Sequence, residues 1–311
     1  MGKVAWIFPG QASQYVGMGR ELYGQSDEVR RYYRLASDLL GDDLARISFD
    51  GPSEKLKQTI FTQPAILIHS LALLRWGSSR LPQPAFAAGH SLGEYAALAA
   101  AGALRFEDAI AAVCTRAQLM ERACLASPGT MAAILALADD KLEQVCRQAS
   151  ATGIVAIANI NSTLQVAVSG EPAAVAEACR LALEAGAKRA VMLEVGGAFH
   201  SPLMAPAAVG MAACLNSLAI TDADPSVVAN VTARPVRRAD EIRQLLVEQI
   251  TSPVRWRDTL AYFKNEGVDT IIEIGPGKVL TGLAKRDLPG VTLYNVDTPA
   301  DLELVEAAVA R

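Results

Sequence analysis

Cysteine and histidine are scarce in this sequence of 311 residues. The five cysteines (Cys114, Cys124, Cys146, Cys179 and Cys214) are odd in number and widely spaced, and no Cys-x-x-Cys occurs. That pattern excludes a disulfide framework and predicts small buried apolar groups in a reducing cytosol. The three histidines, His69, His90 and His200, are too few and too scattered for a structural zinc site, and no metal is expected. Charge of one sign is missing too: 29 Lys and Arg stand against 33 Asp and Glu, a net charge of −4 with no like-charged block. The basic footprint of a nucleic-acid binder is therefore absent. The longest helix-like apolar runs, such as Ala96 to Leu104, fall far short of the ~20 residues that span a bilayer, so no membrane partner is expected. The start, Met1-Gly2-Lys3-Val4-Ala5-Trp6, runs directly into Pro9-Gly10 without the apolar core of a signal peptide, and Trp6 stands where a myristoylation signal wants Ser or Thr. A cytoplasmic protein is expected.

What is present describes a globular chain. Apolar residues make up 51% and charged residues 20%, enough for one large or two smaller folded units at roughly 150 residues per domain. Lys3 to Phe8 is a short apolar run closed by Pro9-Gly10, which predicts a buried strand ending in a turn. Helical spacing follows from Gln63 to Trp76, then a very short buried strand from Ala85 to Ala88, then Ala-rich helical patterns at Ala96 to Ala101 and Phe106 to Ala123. This alternation predicts an α/β fold with a mainly parallel sheet.

The pattern changes at Ser127-Pro128-Gly129. Strands are expected at Thr130 to Leu137, Ile154 to Ile160, Leu164 to Val168 and Ala190 to Val195, with helices at Lys141 to Gln148 and Pro172 to Ala185. The order β-α-β-β-α-β predicts a ferredoxin-like small domain at 127–196, inserted into a large domain formed by 1–126 and 197–311. The large domain then continues with a helix after Pro202, a strand at Val227 to Val231 and a last strand at Thr270 to Ile274 before Gly275-Pro276-Gly277. That glycine pair lacks the full Gly-x-Gly-x-x-Gly of a phosphate loop and reads as a turn packing near the site.

Gly89-His90-Ser91-Leu92-Gly93 fits the nucleophile-elbow pattern Gly-x-Ser-x-Gly between a strand and a helix. Such a turn exposes the Ser91 hydroxyl at a helix N-terminus, where free N–H groups stabilise a developing oxyanion. As a bare pattern it also fits a plain turn; the strand before it and the helix after it favour the nucleophile. A serine needs a base within hydrogen-bond reach. His69 sits in an apolar helical pattern and reads as a packed or interfacial residue. His90, beside Ser91 in sequence, should point away from it and help form the turn. His200 remains, in the glycine-rich segment Gly196 to Pro202, with a surface histidine on a flexible loop as the competing reading.

Phe8-Pro9-Gly10-Gln11, Gly89 to Glu94, Gly196 to His200 and Ser252-Pro253-Val254-Arg255-Trp256 together resemble the malonyl-CoA:acyl carrier protein transacylases, from Phe8 to about Leu283. The resemblance implies a large domain with an α/β-hydrolase-like core, an inserted ferredoxin-like domain, and an active site in the cleft between them. It implies that Ser91 takes the malonyl group from coenzyme A as an ester, with His200 as general base and then acid. The N–H groups of Gln11 and Leu92 would form the oxyanion hole, and Arg116 would hold the free carboxylate of malonate. Gln249 matches the glutamine whose backbone carbonyl orients the histidine in place of a triad acid. Asn161, Phe199 and Met120 are supporting residues: Asn161 lines the cleft or merely forms a hairpin turn, and Phe199 fits malonyl selection. The apolar neighbours Ile110, Val113, Leu119 and Met120 predict a largely buried helix and so a fixed anionic partner for Arg116. The implied partner is an acyl carrier protein bearing phosphopantetheine. No permanently bound cofactor and a monomer are expected. One departure stands out: Ala12 replaces the second glycine of the usual Gly-Gln-Gly-Ser-Gln, which needs no adjustment if φ is negative there.

Three activities compete. Transfer to a carrier protein, for fatty acid synthesis or beside a polyketide synthase, is favoured over hydrolysis because a carboxylate clamp and a roofed cleft exclude water. An intact Ser91 and His200 argue against a binding-only subunit. Acidic carrier proteins call for cations at the cleft mouth, and Lys188, Arg189, Lys285 and Arg286 are candidates, though such charges are more often simply solvated.

Overall fold

The computed structural model describes residues 2–309. Among the described residues, ten strands lie in two sheets. The larger sheet contains β1 (Lys3–Phe8), β2 (Phe86–Gly89), β7 (Ser226–Val228), β8 (Pro235–Val236), β9 (Val268–Ile274) and β10 (Thr292–Val296), in the order β10-β9-β1-β2-β7-β8. All its pairings are parallel except β7 with β8, which form a hairpin. A parallel sheet is covered on both faces, and β1 accordingly buries five of its six residues in succession. One face carries Trp6 and Phe8 into the main core, against the helix Thr59–Gly77; the other carries Ala5 and Ile7 against Trp256, Leu260 and Phe263.

The smaller sheet contains β3 (Thr130–Leu135), β4 (Val155–Ser162), β5 (Gln165–Gly170) and β6 (Arg189–Met192), ordered β4-β5-β3-β6 and antiparallel throughout. Helices Asp139–Ala149 and Pro172–Glu184 cover one face, where Ile134, Val168, Leu142 and Val175 make a separate apolar core. Backbone bonds tie β4 to a segment that lies outside both sheets. Val254 donates to the Ala158 carbonyl and accepts from the Ile160 N–H, each at 2.9 Å, immediately before the helix Trp256–Asn265. The tie falls where β4 changes register against β5, so the irregular strand presents Asn159 and Asn161 to the space between the sheets.

Several boundaries differ from the sequence reading. Thr270 to Ile274 is not the last strand, because β10 follows it as a half-exposed edge strand whose short run, Thr292–Val296, lacks a continuous apolar signal. The strand expected at Val227 to Val231 ends at Val228, and Asn230 turns into the interior instead. The strand expected to reach Val195 ends at Met192, and Leu193 and Val195 then line the cleft. Four helices between Arg20 and Leu56 add to the elements that the sequence predicts. None of the helices among the described residues is long and apolar enough to cross a membrane.

Candidate active site

The elbow is built by close backbone approach. A Cβ on Gly89 would run into the Gly93 backbone, and one on Gly93 into the Phe8 carbonyl, so only glycine lets β2, the turn and β1 pack this tightly. Between them Ser91 takes φ 52°, the strained conformation that lifts its side chain off the sheet ahead of the helix Gly93–Ala100. Asn230, from the loop after β7, holds the turn from below. Its Oδ1 accepts from the Ser91 N–H at 2.7 Å and its Nδ2 donates to the Gly89 carbonyl at 2.7 Å.

His200 meets Ser91 from the loop after β6. Its Nε2 lies 2.8 Å from Ser91 Oγ, and its Nδ1 lies 2.9 Å from the Gln249 carbonyl. A carbonyl can only accept, so Nδ1 carries the proton and Nε2 is left to accept from the serine hydroxyl. The ring is 3% exposed, which sets aside the flexible surface histidine as a reading. Burial, reinforced by the Arg116 cation, pushes its pKa down to about 3, so the imidazole stands neutral. His90 turns away, its Nε2 held 2.9 Å from Asn161 Oδ1, and burial pushes its pKa down as well. His69 packs in the helix Thr59–Gly77, with its Nε2 against Asp297.

Arg116 is 1% exposed on the helix Phe106–Ala126, and its guanidinium reaches the same serine. Nη2 donates to Ser91 Oγ at 2.9 Å and to Gln249 Oε1 at 3.0 Å, while Nη1 donates to Gln63 Oε1 at 2.5 Å. Among the described residues no carboxylate lies within ion-pair distance of it. Burial lowers its pKa, yet an arginine stays charged, so the cleft holds a desolvated cation with only amides and a hydroxyl as partners. Such a site favours an anion. The nearest acid is Glu94, 2% exposed, which accepts from Gln249 Nε2 at 2.7 Å and from the Asn230 N–H at 3.3 Å. Burial pushes the Glu94 carboxyl up to about 7.

Gln11 and Leu92 both line the cleft, and among the described residues neither backbone N–H donates to a protein acceptor. The loop carrying Gln11 closes through Ser13 Oγ, which donates to the Gly10 carbonyl at 2.6 Å. Ala12 has φ 82°, against the negative φ that would have made its methyl harmless. A left-handed alanine costs roughly 1–2 kcal/mol.

The remaining walls are mostly apolar. Met120, Met131, Leu193, Val195, Phe199 and Leu283 line the cleft, joined by Gln63, Asn159, Asn161 and Gln165. Of the residues expected at the site, Gln11, Ser91, Leu92, Arg116, Met120, Asn161, Phe199 and His200 face this space. Gln249 is fully buried behind it. The sequence assigns no role to Gln63, Glu94 or Asn230: Glu94 only closes the motif Gly89 to Glu94, and Gln63 and Asn230 belong to no motif. Lys188, Arg189, Lys285 and Arg286 are exposed. Burial raises the thiols of Cys114, Cys124 and Cys146 to about 12, 11 and 11, as for inert core groups, whereas Cys179 and Cys214 are only half-buried, against the burial expected of all five.

The sequence matches the acyl transferase domain family over residues 5–293. It is 44% identical over 305 residues to the malonyl CoA-acyl carrier protein transacylase of Bacillus subtilis, covering 98% of this chain and 96% of that protein. The Escherichia coli K12 protein of the same name is 40% identical over 301 residues, covering 96% and 97%. Among solved structures, the Vibrio cholerae acyl carrier protein S-malonyltransferase superposes with a TM-score of 0.91 at 42% identity, covering 97% of this chain and 99% of that one. A malonyl-transacylase solved in complex with a type II polyketide synthase acyl-carrier protein gives 0.92 at 38% identity, covering 98% and 99%.

Proposed function

We propose the reaction of this chain from the premise that it belongs to the malonyl-CoA:acyl carrier protein transacylase family: it moves a malonyl group from coenzyme A to the phosphopantetheine thiol of an acyl carrier protein. The observation that carries the reading is that His200 Nε2 and Arg116 Nη2 both meet Ser91 Oγ, at 2.8 and 2.9 Å. Base, nucleophile and carboxylate receptor thus converge on one oxygen. Ser91 Oγ attacks the thioester carbonyl while its proton passes to His200 Nε2. The oxyanion is held by the Gln11 and Leu92 N–H groups, and Arg116 grips the malonyl carboxylate as a charged fork. The C–S bond breaks, coenzyme A leaves as the thiol with the proton from His200, and a malonyl-serine ester remains. The carrier thiol then gives its proton to His200 and attacks the ester, and Ser91 recovers its hydrogen as the thioester forms. The Gln249 carbonyl keeps Nδ1 protonated throughout.

In this reading, 1–126 and 197–311 form an α/β-hydrolase-like catalytic domain and 127–196 a ferredoxin-like insert. The strand order β4-β5-β3-β6 and the two helices on one face support the second name. Met120 and Phe199 shape the acyl pocket, and Asn161 fixes His90. The enzyme works as a monomer in the cytoplasm with no resident cofactor, serving fatty acid synthesis. Service to a polyketide synthase is the alternative, favoured by the likeness to the transacylase solved with a polyketide synthase carrier.

The test is Arg116→Ala, assayed with malonyl-CoA and acetyl-CoA. The malonyl-to-acetyl ratio of kcat/KM should fall by about 10- to 100-fold, the size of a charge-assisted hydrogen-bond pair. An unchanged ratio would remove Arg116 as the carboxylate receptor.

A further inference from the structure

Asp297 lies just past β10, before the helix Pro299–Val309, and takes no part in the steps above. Its carboxylate gathers donors from three separate segments. Tyr15 OH donates to Oδ1 at 3.0 Å, His69 Nε2 meets the same oxygen at 2.8 Å, and the Gly277 N–H donates to Oδ2 at 3.1 Å. His69 Nε2 also lies 2.9 Å from the Asp297 carbonyl, anchoring the residue to a helix buried in the core. Burial works to raise the carboxyl, but His69, Gly277 and Tyr15 together hold it below the usual range, so it remains an anion and a strong acceptor.

Tyr15 belongs to the loop that presents Gln11. On the inner side the loop closes on itself through Ser13 Oγ and the Gly10 carbonyl. A Cβ on Gly277 would stand 3.3 Å from the Ser13 carbonyl, so the Gly275-Pro276-Gly277 turn lies directly against the loop. At its centre Ala12 holds φ 82°, a conformation alanine keeps only where the surroundings impose it. Past Tyr15 the next tie is the Gly17 N–H to the Ser48 carbonyl at 2.8 Å. Between those fixed points, the outer limb of the loop is held through Asp297.

We infer that Asp297 is a positioning residue for the transfer reaction: through Tyr15 and Gly277 it keeps the strained Gln11 loop in the shape that aims the Gln11 N–H at the acyl carbonyl. The inference rests on the oxyanion role proposed above for Gln11. His69 and the Gly275-Pro276-Gly277 turn, which the sequence predicts to be packing, are both parts of one brace.

The test uses two variants of the full chain. Tyr15→Phe removes a single hydroxyl from a residue that is 42% exposed, so folding is preserved. Asp297→Asn keeps the shape but opposes an amide donor to donor groups. Both are measured for kcat and KM in malonyl transfer, and for amide hydrogen exchange of the peptide spanning residues 9–18. Losing an entire oxyanion donor costs about 10²–10³ in kcat, so a displaced donor should cost less, about 3- to 10-fold, with KM near wild type. Exchange in that peptide should quicken. Unchanged exchange in Tyr15→Phe overturns the brace, and so does a loss confined to KM. Faster exchange with wild-type kcat also overturns the positioning role, and it locates the failure in the reading of Gln11 rather than in the anchor.

Discussion

Gln249 Nε2 donates to Glu94 Oε2 at 2.7 Å, and that bond decides which end of the Gln249 amide faces Arg116. With the amide nitrogen committed to Glu94 and to the Ser91 carbonyl at 3.0 Å, its oxygen is left for the guanidinium. The same residue's backbone carbonyl orients His200, so one glutamine sets both the cation and the base. Glu94→Ala should therefore leave a buried donor unpaired, at about 1–3 kcal/mol, and free the amide to turn. Malonyl transfer should fall by about ten-fold or more, with acetyl transfer less affected. Equal losses for both acyl groups would contradict the link through Arg116.

Asn230 tests the elbow itself. Asn230→Ala removes the acceptor for the Ser91 N–H and the donor to the Gly89 carbonyl, both in a buried turn. A stability loss of about 1–3 kcal/mol in urea unfolding is expected, together with slower single-turnover acylation of Ser91. Wild-type acylation in a destabilised variant would show that the turn keeps its shape without the clamp.

Two opposed groups at the site contribute to the pH dependence of stability. His200 has a folded pKa of about 3 against the ordinary 6.5, so below pH 6.5 the unfolded chain binds the extra proton and stability falls on acidification. Glu94 stands at about 7 against the ordinary 4.5, so between those values the folded chain binds the extra proton and stability falls as pH rises. From pH 4.5 to 6.5 the two slopes cancel. Glu94→Gln removes one of them, and relative to the wild type its unfolding free energy should then drop by up to about 1.4 kcal/mol more per pH unit on acidification through this window. A slope matching the wild type in urea titrations at pH 5, 6 and 6.5 would contradict the assignment.

Ala12→Gly should stabilise the chain. Glycine adopts φ 82° freely, and relief of a left-handed alanine is worth about 1–2 kcal/mol, less about 0.4–1 kcal/mol for the added freedom of the unfolded state. A higher urea midpoint at unchanged slope is the expected result, and a lower one would mean that the methyl makes contacts that outweigh the strain.

The parts of the site legible in the sequence are those with local signals. Ser91 is marked by glycines whose spacing answers a backbone collision, and His200 by being the one histidine left on a glycine-rich loop. Arg116 was placed by resemblance and by its apolar neighbours, and its burial bears out the helix reading. Glu94, Asn230 and Gln63 were not legible, because each works only through partners brought together by the tertiary fold. Asn230 sat inside an apolar run that predicts a strand, and Gln63 opened an apolar helical pattern. The sign of φ at Ala12 is also a tertiary property, fixed by what holds the loop. In the fold, alternation of strand and helix was readable where strands are buried on both faces, as in β1. It failed at β10, where one exposed edge dilutes the apolar pattern.

Whether Ser91 carries malonyl from one thiol to another is read out by intact-protein mass spectrometry. The enzyme is mixed briefly with malonyl-CoA, and holo acyl carrier protein is then added. One malonyl group should appear on the enzyme, map to Ser91, be absent from Ser91→Ala, and move to the carrier. A malonyl adduct that decays to free malonate with carrier present, or one that persists in Ser91→Ala, would contradict the account.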